Sequence, residues 1–337
     1  MSNGLKQQAF QVRYGLGAVV AVVASLAVGV LVDPNLTFRV SYAVSFVVLA
    51  AVGLAIIFGI MGVINLAHGE FILLGAYATT LSAVKGGLPL PLAMGVGALV
   101  TALFGLTVER VVISGFVPNW IGRRTVGRDL ITPFYDRLAD SMVATFGLSL
   151  IMTQGARIVF GNSIEQIGVP FGSTAGYPDY RIALVGVAAG VLALVYVLFT
   201  QTTFGTRVRA TMQDEETAKA LGVDTERVYM VTFAIGSGLA GFTGALFAPL
   251  LSMQPTLGDQ FLVEAFVAVV VGGASVVVGT SLSGLLLGPV DALFSDQFGE
   301  FAGRIALLFA AMLALRFLPG GITGVVDRVR DRIEEGS

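Results

Sequence analysis

The 337-residue sequence contains no cysteine and one histidine, His68. The first absence excludes disulfides, thiol catalysis and Cys-based zinc or iron–sulfur sites. The second leaves too few imidazoles for a multi-His metal centre. Charge is scarce as well: Asp, Glu, Lys and Arg make up 12 % of the chain, against roughly 25 % in an ordinary soluble domain. Hydrophobic residues fill 55 % and the mean hydropathy is +0.85. That composition excludes a disordered chain, a collagen-like fibre and a typical soluble globule. A net charge of −2 and a pI near 5.5 give nucleic-acid binding no electrostatic support.

What is present is apolar sequence in long runs. A spanning helix needs roughly 20 mostly apolar residues, and ten segments are candidates: 15–32, 40–62, 66–84, 90–109, 142–160, 182–200, 229–251, 262–279, 281–294 and 301–318. The first follows Lys6 and Arg13. It is long for a signal-peptide core and no small-x-small cleavage site follows it, so it reads as a retained span. The ninth is too short to cross alone, follows Gly272, Gly273 and Gly279, contains Gly288-Pro289, and makes 262–294 read as partly broken or re-entrant. The fold class is therefore an all-α polytopic membrane bundle of about eight to ten spans, with residues 1–337 forming a single transmembrane domain. The 43 glycines suit close helix–helix approach in lipid.

Charge placement orients the chain. With all ten segments crossing and the N-terminus inside, fifteen of the 20 basic residues fall in inside segments; the other five are Arg39, Lys85, Arg157, Arg181 and Arg304. The positive-inside rule then places both termini in the cytoplasm, and an eight-crossing arrangement keeps the same sidedness. Two inside loops are long, 110–141 and 201–228. The first carries Pro118, Trp120 and Pro133 and reads as interfacial. The second lacks proline and favours helix.

Four patterns carry mechanism. In 201–228, Arg209-Ala210 precede Asp214, Ala218 and Gly222, whose spacing of four predicts one small helical face open to a docking partner; the alternative is a solvated connector. Gly236, Ala240 and Gly244 form a small-xxx-small packing ridge, with Ser237, Gly241 and Ala245 beside it. Asn65, His68 and Glu70 sit between two apolar spans, where ionisable groups are costly and face a cavity, a partner or the interface. They read either as a cap and first turn of the next helix or as part of a solute pathway. Finally, Phe58–Gly62 through Leu74-Gly75-Ala76 resembles Val271-Gly272-Gly273 through Leu287-Gly288-Pro289, the pattern of an internal repeat. Glu264 and Asp291 are further acidic residues near membrane depth.

Together these residues resemble the permease subunits of ABC importers for branched-chain amino acids and urea. The resemblance covers roughly 40–325. It rests on Ile64-Asn65-Leu66-Ala67-His68-Gly69-Glu70 with Gly75-Ala76-Tyr77, Glu109-Arg110, Ala144-Thr145-Phe146-Gly147-Leu148-Ser149-Leu150, Arg209-Ala210 through Gly222, and Gly272-Gly273. It implies a second related permease subunit, two cytoplasmic ATPases that use ATP and magnesium, and an extracytoplasmic substrate-binding protein. It also implies that 209–222 is the helix that couples to an ATPase, and that Asn65, His68, Glu70, Gly272 and Gly273 are pathway candidates. No G-x-x-x-x-G-K-[ST] loop occurs in the chain, so nucleotide would be bound by those partners and no cofactor by this chain. Urea or a short amide is the alternative solute, and a secondary transporter the alternative of a different class.

Overall fold

The structure is a computed structural model that describes residues 34–114, 138–174, 177–273, 275–318 and 321–324. The expected 15–32 span and residues 115–137 of the 110–141 loop lie outside the described residues. Eleven α-helices are described. They are α1 (Pro34–Met61), α2 (His68–Val84), α3 (Leu90–Val108), α4 (Leu138–Phe160), α5 (Asp179–Gln201), α6 (Thr203–Gln213), α7 (Glu215–Ala220), α8 (Thr225–Phe247), α9 (Leu257–Gly272), α10 (Val276–Phe298) and α11 (Glu300–Phe317). The last turn of α3 runs into a π-helical segment, Glu109–Ile113. A two-residue antiparallel hairpin, β1 (Ser173–Thr174) with β2 (Tyr177–Pro178), precedes α5. The fold is thus an all-α polytopic membrane bundle, and seven stretches among the described residues are long and apolar enough to cross a bilayer.

The break expected within 262–294 falls at Gly273, whose φ of 86° ends α9. The short helix is not the one the sequence suggested. α9 has 16 residues, whereas α10 runs for 23 straight through Pro289. Pro289 does not stop α10, because membrane helices tolerate proline where neighbouring groups re-satisfy the freed carbonyl. Gly62, with φ of 67°, ends α1 in the same left-handed conformation. Both halves of the internal similarity therefore place a positive-φ glycine at a helix break.

Packing divides the chain into two compact units. One comprises the described residues of 1–48, 170–206 and 267–337; the other comprises those of 49–169 and 207–266. In the first, Gly284 and Gly288 lie against Val44 and Val48 of α1, and Gly303 of α11 lies against Asp291 and Ser295 of α10. Arg39 pairs with Asp296, and the Arg181 guanidinium sits 4.9 Å from the Tyr42 ring centre. Phe301 and Phe317 of α11 are 80 % and 75 % exposed, the kind of apolar face that lipid covers.

In the second unit, α2, α3 and α8 meet backbone to backbone. A Cβ at Gly75 would strike the Gly241 carbonyl, one at Gly244 the Ile72 carbonyl, and one at Gly105 the Ser237 side chain. Gly236 and Ala240 lie against Gly53 of α1, and Gly236 also meets Ile57. Helices in lipid gain nothing from hiding apolar surface from each other, so such interdigitation is what holds them. Two of the packed hydroxyls are satisfied within their own helices: Thr79 donates to Gly75 O at 2.8 Å and Thr101 to Gly97 O at 2.9 Å.

Candidate functional site

The 62–70 turn is fully inside the second unit. Asn65 and His68 are 0 % exposed and Glu70 is 1 % exposed. Asn65 does not occupy the cap position of α2; that residue is Ala67, which makes no side-chain cap. Instead, Asn65 Oδ1 accepts from the Ala67 N–H at 3.0 Å, and the Asn65 carbonyl accepts from the His68 N–H at 3.2 Å. The side chain closes the turn two residues early, the Asx geometry that asparagine favours. The cap reading is corrected accordingly.

His68 Nε2 lies 2.9 Å from the Ala50 carbonyl. A carbonyl only accepts, so the proton sits on Nε2 and the ring staples the start of α2 to α1. Glu70 is met from α4: Ser149 Oγ donates to Glu70 Oε1 at 2.7 Å, and Thr153 Oγ1 does so at 3.3 Å. One turn earlier, Thr145 Oγ1 accepts from the Leu66 N–H at 3.0 Å and approaches the Ile64 carbonyl at 3.2 Å. Thr145, Ser149 and Thr153 repeat every four residues, so one stripe of α4 grips the turn. The motifs around Asn65 and around Thr145 are therefore two sides of one contact. None of these three α4 residues was among the sequence-based site candidates, although their spacing of four was there to be read.

The turn is also crowded. A Cβ at Gly69 would collide with Gly258 at the start of α9, and one at Gly53 would come 3.1 Å from His68 Cε1. Phe71, next to Glu70, meets Phe104 and Phe233 edge-on, at centroid distances of 5.6 and 6.1 Å. Among the described residues, Asn65 Nδ2, His68 Nδ1 and Glu70 Oε2 have no hydrogen-bond partner. Buried polar atoms with unused bonding capacity are uncommon and concentrate where a protein handles a polar solute, water or charge. Gly272 and Gly273 lie in the other unit. There Gly272 packs on Gly279 and Gly273 supplies the break after α9.

The 201–228 segment departs from its predicted form. It is not one helix but two, α6 and α7, broken at Asp214 with φ of −160° and ψ of 104°. Asp214 Oδ1 accepts from the Thr217 N–H at 2.9 Å and Oδ2 from the Thr217 hydroxyl at 2.6 Å, the side-chain cap that starts a helix. These bonds hold its carboxyl below the ordinary carboxylate range. At the other end, the Val223 N–H bonds to Ala218 O and the Gly222 N–H to Lys219 O, with Gly222 at φ of 86°, a glycine-terminated helix stop. Asp214 and Gly222 therefore flank α7 instead of sharing its face. Ala218 is only 3 % exposed and turns inward, while Leu221 is 81 % exposed. The predicted small face of Asp214, Ala218 and Gly222 does not exist as such. Arg209 and Ala210 are half-buried on α6.

Near the start of α8, Glu109-Arg110 reaches across: Arg110 Nη1 lies 3.8 Å from Glu226 Oε2. Among the described residues, no group of three or more His, Asp or Glu is placed to hold a metal ion.

A membrane bundle with a glycine-packed helix core and a buried polar turn is the architecture of a polytopic transport protein. Residues 36–318 match the family described as branched-chain amino acid transport system / permease component, and the chain belongs to that family. It is 30 % identical to BraD, the high-affinity branched-chain amino acid transport system permease protein of Pseudomonas aeruginosa, over 82 % of this chain and 91 % of BraD. It is 27 % identical to LivH of Escherichia coli, a protein of the same description, over 82 % and 90 % of the two chains. The ribose import permease RbsC of Bacillus subtilis is 28 % identical over 64 % of this chain and 71 % of RbsC. Among solved structures, PsaBC from Streptococcus pneumoniae in complex with Fab is similar at a TM-score of 0.46 and 12 % identity, over 87 % of this chain and 95 % of that one. The resemblance to ABC importer permeases read from the motifs thus holds at family level.

Proposed function

We propose that this chain is the permease subunit of an ATP-driven importer that carries branched-chain amino acids across the cytoplasmic membrane. The family match over 36–318 carries the reading. The Asn65–Glu70 turn supplies the polar groups that a zwitterionic solute needs on its way, and α4 holds them in place through Ser149 and Thr145. The absence of a phosphate-binding glycine loop from the sequence is in keeping with ATP hydrolysis by two partner ATPases. A second permease copy or relative and an extracytoplasmic binding protein complete the assembly. Both termini and the 201–228 segment face the cytoplasm, in line with the fifteen inside basic residues. There the exposed Leu221, at the end of α7 beside Gly222, and Met212, 49 % exposed on α6, offer apolar side chains to an ATPase.

The test is solute uptake by a leucine-transport-deficient bacterium that expresses the chain together with the proposed ATPases, second permease and binding protein. Labelled leucine should enter, and excess isoleucine or valine should compete while urea does not. Entry of urea without entry of leucine would overturn the solute class.

A further inference from the structure

Glu215 is the first residue of α7, and its half-buried carboxylate bonds to side chains of α8. Glu215 Oε2 accepts from the Tyr229 hydroxyl at 2.9 Å, and Oε1 from Thr225 Oγ1 at 3.3 Å. Lys219, one turn along α7, reaches the same carboxylate at 2.6 Å. Thr225 and Tyr229 are 2 % and 8 % exposed, and Ala218 of α7 is buried beside them. A six-residue helix cannot hold its own shape in water. This one is held by its caps and by the carboxylate that fastens it to the first turns of α8.

From that fastening, α8 leads to the buried turn. Tyr229 and Phe233 are four apart and so share a face of α8. Phe233, 0 % exposed, meets Phe71 edge-on, and Phe71 adjoins Glu70 in the buried turn. Further along, Gly241 and Gly244 press α8 onto the backbone of α2. Close-packed interfaces of this kind shift between discrete arrangements instead of deforming softly.

We propose that Glu215 is a positioning residue that links α7 to α8, so that displacement of the 203–222 segment by a partner is delivered to the Asn65–Glu70 turn. The proposal rests on the reading of that segment as the ATPase contact. Lys219 neutralises the carboxylate, Thr225 orients it at the first residue of α8, and the Tyr229 phenol supplies the shorter bond, one turn further along α8. Without that bond α7 keeps its caps and its outward Leu221, and still presents the docking knob, but it slips against α8.

The experiment uses the full complex with the ATPases, second permease and binding protein in proteoliposomes, and reads three quantities: ATPase subunits retained on affinity purification, ATP hydrolysis and leucine uptake. Glu215→Leu, which leaves no acceptor, and Tyr229→Phe should each retain the ATPases. Each should raise the ratio of ATP hydrolysed to leucine moved by about tenfold, the scale of a lost hydrogen bond to a charged group. The double variant should be no worse than either single one, because both remove the same link. A ratio unchanged from the parent, including a case where hydrolysis and uptake fall in proportion, would overturn the link. Loss of the ATPases from Glu215→Leu would overturn it too, because the carboxylate would then belong to the docking surface. Leu221→Asp separates the two layers. Release of the ATPases is expected, and their full retention would overturn the docking reading, on which the link depends.

Discussion

Ser149 of α4 donates a hydrogen bond to Glu70 of α2 across 2.7 Å, and the two residues are 79 positions apart in sequence. That bond places a carboxyl group of a membrane helix where no lipid reaches it. It also makes α4 the backing plate of the polar turn, with Thr145 and Thr153 above and below on the same stripe. The remaining faces of α4 are strongly apolar and exposed, with Val143 at 72 % and Ile158 at 83 %. One helix therefore meets lipid on one side and a polar site on the other.

Removing that hydroxyl should be costly. Ser149→Ala leaves Glu70 with Thr153 alone, and an orphaned buried acceptor costs about 1–3 kcal/mol. The expected result is a lower melting temperature for the detergent-purified complex and reduced leucine uptake, both restored toward normal in Ser149→Thr. An unaltered melting curve and normal uptake in Ser149→Ala would show that the bond does not matter.

The glycine contacts make a paired prediction. Gly244→Ala drives a methyl group into the Ile72 carbonyl of α2, whereas a Cβ at Gly95 meets open space. Overpacking of this kind costs about 1–3 kcal/mol, while an unobstructed surface substitution stays within about 0.5 kcal/mol. Thermal unfolding followed by circular dichroism should therefore separate Gly244→Ala clearly from Gly95→Ala. Equal melting temperatures would contradict the packing described for α2 and α8.

The outline of the fold was legible in the sequence because apolar runs are what a bilayer demands. The segments read as 142–160 and 182–200 are Leu138–Phe160 and Asp179–Gln201 in the structure, extended by polar residues at their ends. The polar turn was legible as a turn. Its partners were not, because hydropathy says nothing about which helix lies opposite, and Ser149 looked like one more small residue in an apolar run. The reading of Asp214, Ala218 and Gly222 failed for a local reason. Asp214 followed by Glu215 and Glu216 is a helix-start signal, legible as an acidic first turn, and Gly222 is a helix-stop signal. Spacing of four has meaning only inside one uninterrupted helix.

The Glu215 contact also predicts a pH effect. Burial pushes this carboxyl up, but the bonds from Lys219, Tyr229 and Thr225 outweigh it and leave the group below its ordinary value of 4.5. A carboxylate depressed in the folded state contributes stability that is fully present above the unfolded value and is lost as pH falls through the folded one. Hydrogen exchange of the 215–222 amides, corrected for the intrinsic pH dependence of exchange, should therefore speed up as pH drops below about 4.5. Glu215→Gln should weaken that dependence, leaving the share that belongs to the Asp214 cap, whose carboxyl is also held low by Thr217. An equal acid response in Glu215→Gln would assign it to other groups.

Sidedness can be read by labelling, since the chain has no native cysteine. A cysteine placed at Thr217, exposed on α7, should resist an impermeant maleimide added to intact cells and react once the membrane is opened. Labelling in intact cells would reverse the orientation argued from the basic residues.

The measurement that bears most directly on the whole account is leucine accumulation by proteoliposomes holding the chain with its ATPases, second permease and binding protein. The account predicts uphill accumulation that requires ATP at the ATPase face and persists when proton and sodium gradients are collapsed. Accumulation driven by an ion gradient without ATP would make the chain a secondary transporter and contradict it.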